Sequence, residues 1–129
     1  MSIDTQSTVP FAAPGIDTES PAFKWYVHHV KFFQDRDVDG LLASDYAEDA
    51  ILMSYDFRVQ GHEGLKYAFT QYLDLIGGFT YTTQKFHATP TDVILEATLE
   101  TEKTGTRKVW DVFTIENGKI TRHFTGLKG

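Results

Sequence analysis

The segment Val109–Ile120, VWDVFTIENGKI, leaves few ways for this chain to fold. Asn117-Gly118 is the strongest short-range hairpin signal, because both residues tolerate the positive φ that a two-residue turn demands. The residues before it alternate like a strand. Val109, Asp111, Phe113 and Ile115 share one face, and Trp110, Val112 and Thr114 share the other. A carboxylate therefore stands in an apolar row, where ionised groups are rare without a partner. Three arrangements satisfy it. Asp111 takes a structural hydrogen bond from a neighbouring element, or it lines a cavity, or it is desolvated and works as an acid or base.

The elements before this hairpin read as three helices and several strands. Ser20-Pro21 is a helix start, with Ser as N-cap and Pro in the first turn. That helix runs to about Asp35 and carries an inward stripe of Ala22, Phe23, Tyr26, Val30 and Phe33. His29 lies at the edge of the stripe, and Trp25 with Phe32 forms a flanking apolar pair. A short second helix is expected over Asp37–Tyr46 and a strand over Ala50–Gln60. Ala50, Leu52, Ser54 and Asp56 fall on one face of that strand and Ile51, Met53, Tyr55 and Phe57 on the other, and either set can serve as core. Gly61-His62-Glu63-Gly64 opens a third helix with the stripe Leu65, Phe69, Tyr72, Leu73 and Ile76, closed by Gly77-Gly78. Strands follow over Phe79–Ala88, Val93–Glu102, the Asp111 segment and Ile120–Leu127. Helices followed by a run of antiparallel strands predict an α+β domain: a strongly curved, cone-shaped antiparallel sheet wrapped by three N-terminal helices. The first-helix stripe and the Asp111 face would both look into the cone.

Size and composition narrow the function classes. The chain has 129 residues, enough for one domain with a real core. Residues 1–20 hold Pro10, Pro14 and Gly15 and are expected as an irregular arm, with Val9, Phe11 and Ile16 able to dock it; residues 21–129 form the domain. The net charge of −6, without any Lys/Arg run, argues against a nucleic-acid partner or an anionic membrane surface. No stretch approaches the eighteen or so consecutive apolar residues of a membrane span, and no signal peptide is read at the N-terminus. Without cysteine there is neither a disulfide framework nor a thiolate metal site, which is compatible with a cytoplasmic location. Aromatic residues make up 14% of the chain, more flat apolar surface than a small core needs, so a lined pocket or a subunit interface would use it. His28, His62 and His87 read as surface residues. No histidine or carboxylate pair sits at ligand spacing on an inward helix face, so no metal is expected. Glu96, Glu100 and Glu102 read as a solvated face.

Taken together, these pieces resemble the nuclear-transport-factor-2-like superfamily, a cystatin-like fold, in its SnoaL-like and ketosteroid-isomerase-like branches. The resemblance is carried by Asp37-Val38-Asp39-Gly40-Leu41 with Tyr46-Ala47-Glu48-Asp49-Ala50, by Gly61-His62-Glu63-Gly64-Leu65, and by Trp110-Asp111-Val112-Phe113 with Asn117-Gly118-Lys119-Ile120. It spans about residues 21–127 and is specific for the fold rather than the reaction.

The resemblance places Asp111 as a pocket aspartate near a ring substrate. It places His29 about where a first-helix tyrosine donates to an oxyanion, with Tyr26 one turn earlier facing the same way. Ser54 stands where ketosteroid isomerases keep a general-base aspartate, and Asp56 lies nearer the mouth. His123 matches a pocket-lining position. Val109 stands where epoxide hydrolases of this fold keep an arginine, which counts against that reaction. Phe33, Leu52, Phe69, Val109 and Phe113 are the expected apolar lining. The implied activity is cofactor-independent acid/base proton transfer on an apolar, cyclic or polyketide-like carbonyl compound by an isomerase, cyclase or dehydratase. Asp111, His29, Tyr26 and His123 would be its working groups. The other reading is a non-catalytic ligand-binding or dimerisation module of the same fold. In either case the outer sheet face, with Trp110 and Val112, is expected to form a homodimer.

Overall fold

The first helix forms where Ser20 caps it. In the computed structural model, which describes residues 11–128, the Ser20 hydroxyl accepts from the Phe23 N–H at 3.2 Å and α1 runs Pro21–Gln34. Arg36, at φ 58°, turns the chain, and Asp37 caps α2 (Val38–Asp45) through the Gly40 N–H at 2.9 Å. The sheet then begins with β2 (Tyr46–Met53) and β3 (Arg58–Gln60), followed by α3 (Gly61–Ile76). Four long strands complete the domain: β4 (Phe79–Ala88), β5 (Asp92–Thr101), β6 (Gly105–Glu116) and β7 (Lys119–Leu127). Asn117 and Gly118 take φ 54° and 77° between β6 and β7, the two positive values the Asn-Gly pair predicts.

The sheet has seven strands in the order β1-β4-β5-β6-β7-β2-β3, where β1 is Phe11–Ala12. Residues β4 to β7 form the expected antiparallel meander. Three expectations are corrected. The sheet is mixed rather than antiparallel throughout, because β2 pairs in parallel with β7 and β1 with β4. Between β2 and β7 the chain runs through β3, α3 and the three strands β4 to β6, a connection long enough to permit parallel pairing. The single strand expected over Ala50–Gln60 is two antiparallel strands, with Leu52 opposite Val59 and a turn over residues 54–57. Its turn breaks the alternation, which is why parity alone left the inward face open; Ala50 and Leu52 are the buried ones. The N-terminal segment is not wholly irregular either, since Phe11–Ala12 adds an edge strand and Ile16 packs on the core. Val9 lies outside the described residues.

Register shifts interrupt β2–β7 at Tyr46/Ile51, β4–β5 at Thr83/Lys85 and β6–β7 at Thr114/Ile115. Such bulges bend a sheet and deepen its twist. The inner face accordingly curves around α1 and α3, and the core fills only part of the space between. Phe23, Leu41, Leu65, Leu73, Ile76 and Ile120 are fully buried there. Among the described residues no helix is long and apolar enough to cross a membrane.

Candidate functional site

What the core leaves unfilled is a cavity of about 730 Å³ between the sheet, α1 and α3. Its wall is overwhelmingly apolar. Phe33 of α1 and Phe69 of α3 meet edge to face at 5.1 Å, and Leu52, Val109 and Phe113 form the sheet side. At the mouth Tyr55 is 85% exposed and Tyr67 67%, with Phe57, Leu75 and Leu127 also open to solvent. Large apolar side chains are thus gathered and exposed around one opening.

Into this apolar space the fold brings two histidine–carboxylate pairs. The first comes from the register of β6 and β7. Phe113 lies opposite His123, so Asp111, two residues back on the same face, is the diagonal neighbour of the imidazole. His123 Nε2 is 2.8 Å from Asp111 Oδ1, and His123 Nδ1 is 2.8 Å from the Tyr46 hydroxyl. A carboxylate only accepts, so Nε2–H donates to Asp111, and in that tautomer Nδ1 accepts the Tyr46 O–H. Burial, and then the carboxylates of Asp111 and Asp45, push the Tyr46 phenol well above its ordinary range, so it keeps its proton as the donor. Asp111 retains 17% side-chain exposure, all the more notable beside a histidine at 6%, and lines the cavity.

The second pair links two helices. His29 Nδ1, on α1, lies 2.8 Å from Asp45 Oδ2 at the end of α2, with side chains only 2% and 5% exposed. Burial lowers the His29 pKa and prevails over the raising effect of Asp45, so the ring is neutral and Nδ1–H donates. Burial also works against the Asp45 carboxylate, but the His29 bond and the Ser44 hydroxyl, 2.8 Å from Oδ1, hold it below its ordinary value. Trp25 stacks on the His29 ring at 5.1 Å, and the two imidazoles stand 6.5 Å apart, centroid to centroid. His29 lines the cavity, and among the described residues its Nε2 has no protein partner. A neutral imidazole fixed at Nδ1 by a carboxylate presents Nε2 as an acceptor.

Tyr26, beside these pairs, is buried. Its phenol is pushed well above the ordinary range by burial first and by the Asp111 carboxylate second, so it stands as a hydrogen-bond donor. Every candidate read from the sequence lines this one cavity: Tyr26, His29, Phe33, Leu52, Ser54, Asp56, Phe69, Val109, Asp111, Phe113 and His123. Ser54 and Asp56 sit on the β2–β3 turn rather than along a strand, Ser54 half-buried and Asp56 exposed. Sequence reading missed Asp45, Tyr46 and Arg107. The first two fall at the helix–strand junction, where neither period assigns a face; Arg107 was legible by parity with Asp111. His62 is corrected from a surface residue: it is half-buried and its Nε2 donates to the Tyr46 carbonyl at 2.9 Å, holding that junction in place. His28 and His87 are exposed as expected. Among the described residues no three His, Asp or Glu side chains converge as a metal-holding set.

Residues 26–123 match the family model described as a SnoaL-like domain. The fold is similar to TerC, co-crystallised with polyporic acid, at 21% identity over 84% of this chain and 92% of that one, with a TM-score of 0.69. It is similar also to a putative polyketide cyclase from Sinorhizobium meliloti, at 16% identity, 80% and 94% coverage and a TM-score of 0.69. AclR, a putative hydroxylase from Streptomyces galilaeus, aligns at 14% identity, 81% and 86% coverage and a TM-score of 0.67. No curated protein matches the chain in sequence.

Proposed function

Because this chain belongs to the SnoaL-like domain family, we propose that it is a small-molecule enzyme of acid/base type, moving a proton on an apolar, cyclic or polyketide-like carbonyl compound without a cofactor. One observation carries the reading: two histidine–carboxylate pairs open on the same apolar cavity. Asp111 is the proton-transferring group. His123 occupies Oδ1, which leaves Oδ2 to take a proton from the carbon next to the carbonyl. The electron pair of that C–H bond moves into the carbonyl, the oxygen becomes an enolate, and the Tyr26 phenol donates to it. Neutral His29 accepts at Nε2 a hydroxyl of the same substrate. Return of the proton from Asp111 to another carbon completes an isomerisation; in a cyclisation the enolate carbon instead bonds to a second carbonyl carbon, whose C=O π pair moves onto its oxygen, and that oxygen takes the proton back from Asp111. That a protein of similar fold is described as a putative polyketide cyclase supports the substrate class.

Two features favour the second reading, a ligand-binding module without catalysis: one oxygen of Asp111 is already taken by a hydrogen bond from His123, and the resemblance puts Ser54 where isomerases of this fold keep an aspartate base. Asp111→Asn separates the two. On a turned-over cyclic ketone or polyketide, the enzyme reading expects kcat to fall about 10²-fold or more, the contribution of one placed acid–base group. Turnover unchanged by the substitution removes that reading and leaves the binding module.

We further propose that the outer sheet face joins two copies. Ile94, Val112 and Phe124 form one apolar row across β5, β6 and β7 on that face, and Ile94 is 53% exposed.

A further inference from the structure

Arg107 is the one lysine or arginine among the residues that line the cavity. It lies on the Asp111 face of β6, four residues before the aspartate, and so about 13 Å away along the strand. Its guanidinium carbon sits 5.6 Å from the centroid of the Tyr72 ring of α3, against which the cation is stacked. Burial raises the Tyr72 phenol, and the guanidinium beside it partly offsets that rise. The cavity holds two carboxylates of its own, Asp56 and Asp111; Arg107 pairs with neither, and it makes no ion pair among the described residues. Its Nε is buried and makes no hydrogen bond there.

A guanidinium carries five donors in a rigid fork that matches a carboxylate or sulfonate. Holding it half-buried without an anion is costly. In a chain of net charge −6, with carboxylates to spare, this cation has been left facing the ligand space. We propose that Arg107 is an anion-binding subsite, and that the physiological ligand is an apolar organic anion. Its ring or chain fills the aromatic cavity, its reactive carbonyl lies at Asp111, and its carboxylate or equivalent acid group lies at Arg107, about 13 Å along the strand. Tyr72, stacked on the guanidinium, fixes the plane of the fork. This deepens the enzyme reading above and rests on it only in taking the cavity as the ligand site.

The test is a matched pair of fluorescent probes: anilinonaphthalene sulfonate and its uncharged parent, N-phenylnaphthylamine. The wild-type protein is expected to bind the sulfonate about tenfold or more tightly than the parent, the size of a charge-assisted contact. Arg107→Gln is expected to abolish the preference and leave affinity for the parent within about twofold, because the cavity itself is intact. Should that variant fail to fold, Arg107→Lys keeps the charge without the fork, and a preference reduced but retained at low salt and lost at high salt supports the subsite. A wild-type protein that binds the parent but shows no preference for the sulfonate overturns the subsite alone. So does a preference that survives in Arg107→Gln. Failure of both probes to bind overturns the cavity reading with it. None of these outcomes depends on turnover, so an Asp111→Asn result against catalysis leaves the anion preference standing.

Discussion

Replacing Asp45 with alanine isolates the buried pair that fixes His29. The carboxylate accepts the Nδ1–H at 2.8 Å with both side chains at most 5% exposed, so water cannot take over the lost contact. A hydrogen bond to a charged acceptor is worth about 1.5–3 kcal/mol, and a buried donor left unpaired costs about 1–3 kcal/mol. The two overlap, and relief of the carboxylate's own desolvation offsets part of them, so the expected loss is about 2–3 kcal/mol. For a chain of this size that is a fall of about 8–12 °C in Tm. Urea unfolding at about pH 7.5 reads it directly. The pH dependence supplies a second, independent arm. The folded His29 pKa lies below its unfolded value, so its contribution is fully present above about pH 6.5. As pH falls below that, the unfolded chain takes up a proton that the folded chain refuses, and stability declines until the folded pKa is passed. Asp45, also lowered, adds a loss in the same direction but in the more acid range. The slope attributable to His29 is at most about 1.4 kcal/mol per pH unit and disappears in His29→Phe. A loss under about 0.5 kcal/mol in Asp45→Ala, or a wild-type stability that rises on acidification from neutral pH, refutes the assignment of a neutral, carboxylate-bound His29.

Tyr46→Phe deletes the donor to His123 Nδ1 at 2.8 Å; it is expected to cost about 1 kcal/mol in urea and to lower kcat while KM holds, since the phenol positions the imidazole rather than the substrate. The proposed pairing through Ile94, Val112 and Phe124 predicts a mass near twice the chain's 14.6 kDa by sedimentation equilibrium, and Val112→Glu is expected to return it to the single-chain value. A monomer at all concentrations would exclude that interface.

Much of this molecule was legible from local pattern. Ser20-Pro21, Gly77 and Asn117-Gly118 announce their caps and turns because each answers a steric or hydrogen-bonding demand met within a few residues. The alternation of Val109, Asp111 and Phe113 placed a carboxylate in an apolar row, and the period of α1 aimed Tyr26 and His29 the same way. Those two periodic statements suffice to bring the candidate residues to one cavity, because a curved sheet and the helices across it have only one interior to share.

The partners were decided elsewhere. Nothing near Asp45 in sequence says that it meets His29, sixteen residues before it, and nothing near Tyr46 says that its hydroxyl reaches His123, seventy-seven residues on. The Asp45 contact depends on how α1 packs against α2, and the Tyr46 contact on the parallel docking of β2 beside β7 with its bulge between Tyr46 and Ile51. Packing between elements likewise leaves Arg107 facing Tyr72 with no carboxylate of its own. Periodicity tells a side chain which way to point, since that is a property of one strand or helix. What it finds there depends on another element's register, and only the packed chain sets that.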